Sequence, residues 1–226
     1  TLNISVLEQL KVCLPMRSGH YPFAFFGGAI GYFGYETAFH FQQIGDIVND
    51  VYNMPDVHVF FYDTFIVIDH LLQTVTVAAI DLFQTGRTIA DMERAIEGIE
   101  EQLNTQQAQS TEEPPAISFN TTIEKARFIE MVETAKEHIR KGDIFQVVLS
   151  QTFEANFEGN PFGLYRKLRA NNPSPYMFYV EFGDYTILGT SPERLVKVQN
   201  GVVTTNPIAG TKPRGKAPEE DTALAE

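Results

Sequence analysis

Asn206-Pro207-Ile208-Ala209-Gly210-Thr211-Lys212-Pro213-Arg214-Gly215 follows a run of β-forming residues. It packs two prolines, two glycines, a threonine hydroxyl and two cations into a short span. Proline and glycine set a stiff turn, and successive backbone N–H groups beside positive charge form a concavity that favours an anion. The same composition also suits a solvated basic turn, so the choice between the two rests on what surrounds it.

Composition sets the bounds. A chain of 226 residues with 43% hydrophobic and 12% aromatic content has enough apolar surface for one large or two small domains. The net charge of -12 argues against a nucleic-acid groove or an anionic membrane surface as partner, because the basic cluster Lys212, Arg214 and Lys216 is too short to offset it. Cys13 is the only cysteine, which excludes a disulfide framework and a cysteine-type zinc site and suits a reducing cytoplasm. No apolar run approaches the ~20 residues that span a bilayer.

Before the loop, Val6, Leu7, Leu10 and Leu14 recur at helical spacing up to Pro15. The run Pro22 to Glu36 sets Gly27, Gly28, Gly31 and Gly34 among aromatic and β-branched residues. That pattern reads as strands that admit close backbone approach, with ligand contact the lesser alternative. Val57 to Ile68 and Thr74 to Ile80 read as two strands joined at Asp69-His70, and Ile89, Met92, Ile96, Ile99 and Leu103 as the buried stripe of a covering helix. Asn104 to Pro115 is almost free of apolar residues and reads as a linker. The expected division is therefore a sheet-and-helix region at 1–103, a linker or mobile loop at 104–118, and a second region at 119–226.

Thr121-Thr122-Ile123-Glu124 has the pattern of a capping box opening a helix that Gly142 ends, with His138, Arg140 and Lys141 at its negative end. Ile144 to Phe153 then reads as a strand, Asn160-Pro161 as a helix start and Pro173 as its stop. Two hairpins follow, turning at Gly183-Asp184 and Asn200-Gly201 and separated by the sheet-breaking Ser191-Pro192-Glu193-Arg194. Pro218 to Glu226 reads as the opening of a helix, and the chain reads as an interior fragment of a longer protein.

Four ordered motifs now carry a resemblance: Lys141 to Gln151, Asn172 to Phe178, Gly189 to Glu193, and Pro207 to Gly215. Together with the looser glycine run at Gly27 to Glu36, they make the chain resemble component I of anthranilate synthase, in the chorismate-utilising family. The resemblance implies an α+β fold of antiparallel β-sheets packed against helices, truncated here at both ends. It implies amination of chorismate and loss of pyruvate to give anthranilate, the first committed step of tryptophan biosynthesis, with feedback inhibition by tryptophan.

It further implies that Gly210 and Thr211 bind chorismate, Thr211 with a catalytic part, a glycine allowing close approach and a hydroxyl donating a hydrogen bond. Pro175, Tyr176 and Met177 are implied as part of the tryptophan pocket, where an aromatic ring and a thioether suit an indole; the alternative places them at the edge of a strand in the core. Mg2+ is implied, with ligands beyond residue 226 and none within the chain. At Ala209 the aminodeoxychorismate branch of the family commonly has lysine. Alanine offers no nucleophile, so the implied amine source is ammonia from a glutamine amidotransferase subunit. The rival readings are aminodeoxychorismate synthesis without pyruvate loss, and a non-catalytic module that binds tryptophan or a partner.

Overall fold

The computed structural model describes residues 6–14, 22–23, 25–42, 52–105, 113–208 and 213–225. The chain divides into two compact units, Thr1–Gln109 and Ser110–Glu226. Among the described residues every strand pair is antiparallel, and each sheet has two strands.

In the first unit, helix α1 (Val6–Cys13) is followed by β1 (Gly28–Phe33), a 3-10 turn at Tyr35–His40, β2 (Val57–Tyr62), β3 (Thr64–Asp69), β4 (Thr74–Ala79) and helix α2 (Ile89–Thr105). The single run expected from Val57 to Ile68 is two strands, broken at Asp63. The β2 strand pairs with β1 in register Gly31↔Val59, and β3 pairs with β4. Asp63 makes the break useful: its carbonyl accepts from the Ile80 N–H at 2.8 Å and its carboxylate pairs with Arg87 at 2.8 Å. The β3–β4 turn spans His70 to Gln73, one Asp69 oxygen taking the N–H groups of both Leu71 and Leu72 at 2.9 Å.

Gly31 faces the partner strand so closely that a Cβ would sit 2.0 Å from the His58 carbonyl oxygen. The glycine run thus serves strand approach at that position, as its composition suggested. Phe23 and Phe25 pack edge-on to Phe65, and Phe61 to Phe83, beside the buried Leu82. The α2 helix lies along β4. Its N-terminus carries a capping box, Thr88 to Asp91, beyond those expected from the sequence. Thr88 N–H and Oγ1 both donate to Asp91 Oδ2, at 2.8 and 2.7 Å, while Asp91 N–H donates to Thr88 Oγ1 at 3.2 Å. These bonds, ahead of the charge of Arg94, hold the Asp91 carboxyl below its ordinary pKa.

In the second unit the capping box expected at Thr121 does not form. Asn120–Thr121 is strand β5, paired with β6 (Phe153–Glu154), and Thr122 exchanges hydrogen bonds with Thr152. Helix α3 (Lys125–Lys141) starts four residues later than Thr121, with Glu124 at its N-cap and no side-chain cap bond. A strand partner 30 residues away in sequence satisfies these backbone groups and overrides the local signal. The C-terminal end agrees with expectation: Gly142 takes the left-handed conformation at φ 81° and its N–H returns to the helix.

Residues 144–152, expected as strand, have no ladder partner among the described residues. Their β-forming side chains stay largely outward, Phe145 at 93% and Val148 at 82% exposure. Helix α4 (Pro161–Asn171) opens on Asn160, whose side chain accepts the Phe162 N–H at 2.8 Å. Strands β7 (Tyr176–Glu181) and β8 (Thr186–Ser191) form a hairpin closed by Phe182 N–H to Tyr185 C=O at 2.8 Å, across Gly183-Asp184. Strands β9 (Lys197–Gln199) and β10 (Val202–Thr204) turn at Asn200-Gly201, both with positive φ. Helix α5 (Pro218–Ala225) ends the described chain.

Candidate functional site

Ala209, Gly210, Thr211 and Lys212 lie outside the described residues, so the geometry concerns the segments on either side. On the upstream side, β8 ends at Ser191 and the next residues fold into a tight turn. Ser191 Oγ donates to the Glu193 carbonyl at 3.1 Å and accepts from the Glu193 N–H at 3.4 Å. This turn aims two charged side chains across the β9–β10 hairpin. Glu193 Oε1 accepts the Ile208 N–H at 3.0 Å, and Arg194 donates to Asn206 Oδ1. The Arg194 Nε is buried and has no partner within the described structure.

Ser191-Pro192-Glu193-Arg194, by sequence a sheet breaker and in part a motif, also grips the stretch 206–208. No periodicity reports a bond spanning 12 or 15 residues; the available signal was a charged pair placed at a strand exit.

On the downstream side, Arg214 pairs with Asp221 at 2.6 Å, and the Gly215 N–H reaches the other Asp221 oxygen at 2.8 Å. Lys216 N–H donates to Glu220 at 2.7 Å. The segments flanking 209–212 are thus held from separate elements, the strand exit on one side and the first turn of α5 on the other.

Pro175, Tyr176 and Met177 lie where β7 begins. In register, Tyr176 opposes Ser191 and Met177 opposes Thr190. Pro175 and Tyr176 are exposed and Met177 is half-buried. Strand alternation sets the Tyr176 and Met177 side chains on opposite faces, so a pocket drawing on both must wrap the strand's start. Helix α4 packs on this hairpin through Phe162 and Tyr165, with ring centroids 5.2 and 5.6 Å from Tyr179. Asn172 Nδ2 donates to Thr190 Oγ1 at 3.2 Å and ties the helix end to β8. Tyr179 donates to Glu181 at 2.6 Å; burial first, then this carboxylate, raises its phenol above its ordinary pKa.

The Lys141-Gly142-Asp143 motif is a helix terminus in which Asp143 faces His138 Nδ1 at 2.8 Å. Beside it, a groove of about 300 Å³ runs between α3 and the following segment, lined by Arg127, Met131, Ala135, His138, Ile144 and Val147 among others. Arg127 is already paired with Glu130 and His138 with Asp143, so the groove offers mainly apolar contact. Among the described residues no group of three or more His, Cys, Asp or Glu could hold a metal ion. The described residues therefore do not provide a fit for the magnesium that the resemblance implies.

The comparison with known proteins decides the affiliation: the model of the chorismate binding enzyme family matches residues 4–226. The chain belongs to that family. It is similar to anthranilate synthase component 1 of Acetivibrio thermocellus, 41% identical over 215 residues, 88% of this chain and 42% of that protein. Component 1 of Lactococcus lactis subsp. lactis (strain IL1403) is 39% identical over 223 residues, covering 97% and 48% respectively. The crystal structure of anthranilate synthase component I from Streptococcus pneumoniae TIGR4 superposes with a TM-score of 0.83 at 40% identity, over 97% of this chain and 48% of that one. The chain thus spans just under half the length of these relatives. The α+β architecture expected from the sequence is the one found. No helix among the described residues is long and apolar enough to cross a membrane.

Proposed function

We propose that these residues supply part of an anthranilate synthase component I, which aminates chorismate at C2 with loss of the C4 hydroxyl and then expels pyruvate to leave anthranilate. The observation that carries the reading is likeness to component I sustained along nearly the whole chain, 97% of it at 40% identity. In this reading the Gly210 backbone lets the substrate approach and the Thr211 hydroxyl donates to a substrate carboxylate or the leaving oxygen. Ala209 supplies no amine, so ammonia comes from a glutamine amidotransferase subunit or from free ammonium. Pro175, Tyr176 and Met177 form one part of a tryptophan pocket. Magnesium is held by residues outside this chain, the 226 residues alone do not turn over, and the protein works in the cytoplasm.

The test is a hybrid in which this chain replaces the matching region of the Streptococcus pneumoniae component I. With chorismate and ammonium the hybrid is expected to form anthranilate, identified by its fluorescence and mass, with equimolar pyruvate. Amination without pyruvate would move the assignment to the aminodeoxychorismate branch, and no turnover of chorismate would refute the reading. Anthranilate from the isolated chain would refute its proposed inactivity.

A further inference from the structure

Four aliphatic side chains crowd the closed end of the β3–β4 hairpin in the first unit. Ile68 and Val75 stand opposite each other in register, on one face of the sheet. Leu71 and Leu72 occupy the turn between them, 91% and 69% exposed, with Ile68 and Val75 at 60% and 61%. The turn that presents them is already built. Asp69 Oδ1 takes the N–H groups of Leu71 and Leu72 at 2.9 Å, and Gln73, at φ 54°, donates through Nε2 to the His70 carbonyl at 2.7 Å. Apolar side chains held on such a turn lose little freedom on docking, and a contiguous bare patch of them marks a contact surface.

Charge selects what can cover the patch. Helix α2 starts at the open end of the same hairpin, where Arg87 pairs with Asp63, and lies along β4. Its 17 residues extend ~25 Å against ~20 Å for the 6 of β4, so its last turns come level with Leu71 and Leu72. Those turns carry Glu97, Glu100 and Glu101 and end without a basic residue, where the helix dipole is already negative. Arg94 is engaged by Asp91, and none of the three glutamates has an ion pair among the described residues. Across Thr1–Gln109, 13 Asp and Glu stand against 4 Lys and Arg. A second copy of this tip, or an anionic membrane, would meet like charge. A protein surface with an apolar recess rimmed by Lys and Arg would meet its complement.

We propose that the β3–β4 tip, together with the end of α2, is the docking surface for a protein chain of that chemistry, and that this chain is the ammonia-supplying amidotransferase subunit. This rests on the component I reading, in which the amine arrives from a separate subunit.

The probe is the glutamine amidotransferase subunit that partners the Streptococcus pneumoniae component I, titrated into the full chain by calorimetry. Leu71→Ser with Leu72→Ser should weaken binding about a hundredfold, the worth of two buried aliphatic side chains. Glu100→Gln with Glu101→Gln should weaken it about three- to tenfold and flatten its dependence on salt. Val12→Ser, at an aliphatic side chain of α1 that is 83% exposed, should bind as wild type does. In the hybrid enzyme, the paired leucine variant should lower glutamine-dependent turnover about tenfold or more, with the subunit supplied near its wild-type Kd. Its ammonium-dependent turnover should stay unchanged, which also shows that the variant folds. Failure of the subunit to bind the wild-type chain, unchanged binding in the leucine variant, or an equal loss in Val12→Ser overturns the proposal. Self-association of the chain in sedimentation, abolished by the leucine variant, would hand the surface to a second copy and overturn the assigned partner. A hybrid that makes no anthranilate from ammonium with the tip intact overturns the component I reading, while the titration still decides the docking surface.

Discussion

Replacing glycine by alanine at two places in the first unit should have opposite effects. At Gly31, in β1, the added Cβ would meet the His58 carbonyl oxygen at 2.0 Å and the Val59 Cα at 2.6 Å. An unstrained carbon–oxygen approach is about 3.3 Å, so β1 and β2 must part locally by about 1.3 Å, and both close neighbours are backbone atoms that cannot rotate away. That separation weakens the ladder bonds beside the Gly31↔Val59 pair at about 1 kcal/mol each, on top of the roughly 1–3 kcal/mol of overpacking. The sum is about 3 kcal/mol, a large share of the ~5–15 kcal/mol that holds a domain folded. At Gly98, in the exposed middle of α2, a Cβ meets nothing within 4 Å, and alanine should stabilise by about 0.5–1 kcal/mol through helix propensity. Thermal unfolding followed by circular dichroism should show Gly31→Ala melting roughly 10–20 °C lower and Gly98→Ala a few degrees higher, on the scale of a unit of about 100 residues. Amide exchange should place the Gly31→Ala damage in β1 and β2. Equal melting temperatures for Gly31→Ala and wild type would refute the claim that this glycine is there for strand approach.

Thr88→Ala removes the cap of α2 and should cost about 1 kcal/mol in chemical denaturation. Because the Thr88 bonds hold the folded Asp91 carboxyl below 3.8, they contribute stability above the unfolded pKa that is lost as pH falls through the folded one; Thr88→Ala should therefore flatten the acid limb of a stability profile, and an unaltered limb would count against the capping box. Tyr179 has the opposite sign. Its folded pKa is raised above 10.0, so the phenol's contribution is whole below pH 10 and is lost as pH rises through the folded value; Tyr179→Phe should lessen the alkaline loss of stability followed by denaturant midpoints. In the hybrid enzyme, Met177→Thr should weaken tryptophan inhibition while turnover persists, and an unchanged inhibition constant would discard Met177 from the pocket.

The features readable from the sequence were those whose cause lies within a few residues. Gly142 ends α3 because one glycine can take the left-handed conformation. Asn160-Pro161 opens α4, and Gly183-Asp184 and Asn200-Gly201 turn their hairpins, because each dipeptide sets its own backbone. The family was readable because four such local motifs stand in order. The three-residue spacing of a capping box was readable as a pattern but ambiguous as to place: Thr88-Asp91 forms one, while Thr121 is taken by a strand and Glu124 becomes an uncapped N-cap.

The tertiary structure alone decided which distant groups satisfy each other. Thr122 goes to Thr152, Glu193 to Ile208, and Asp63 splits an unbroken β-forming run so that its halves serve different sheets. Propensity is a property of neighbouring residues, worth tenths of a kcal/mol per residue, whereas a buried or bridging polar group must find its partner wherever the fold brings one. Bonds between strand exit and loop, or between helix and glycine, therefore become visible only once the chain has closed on itself.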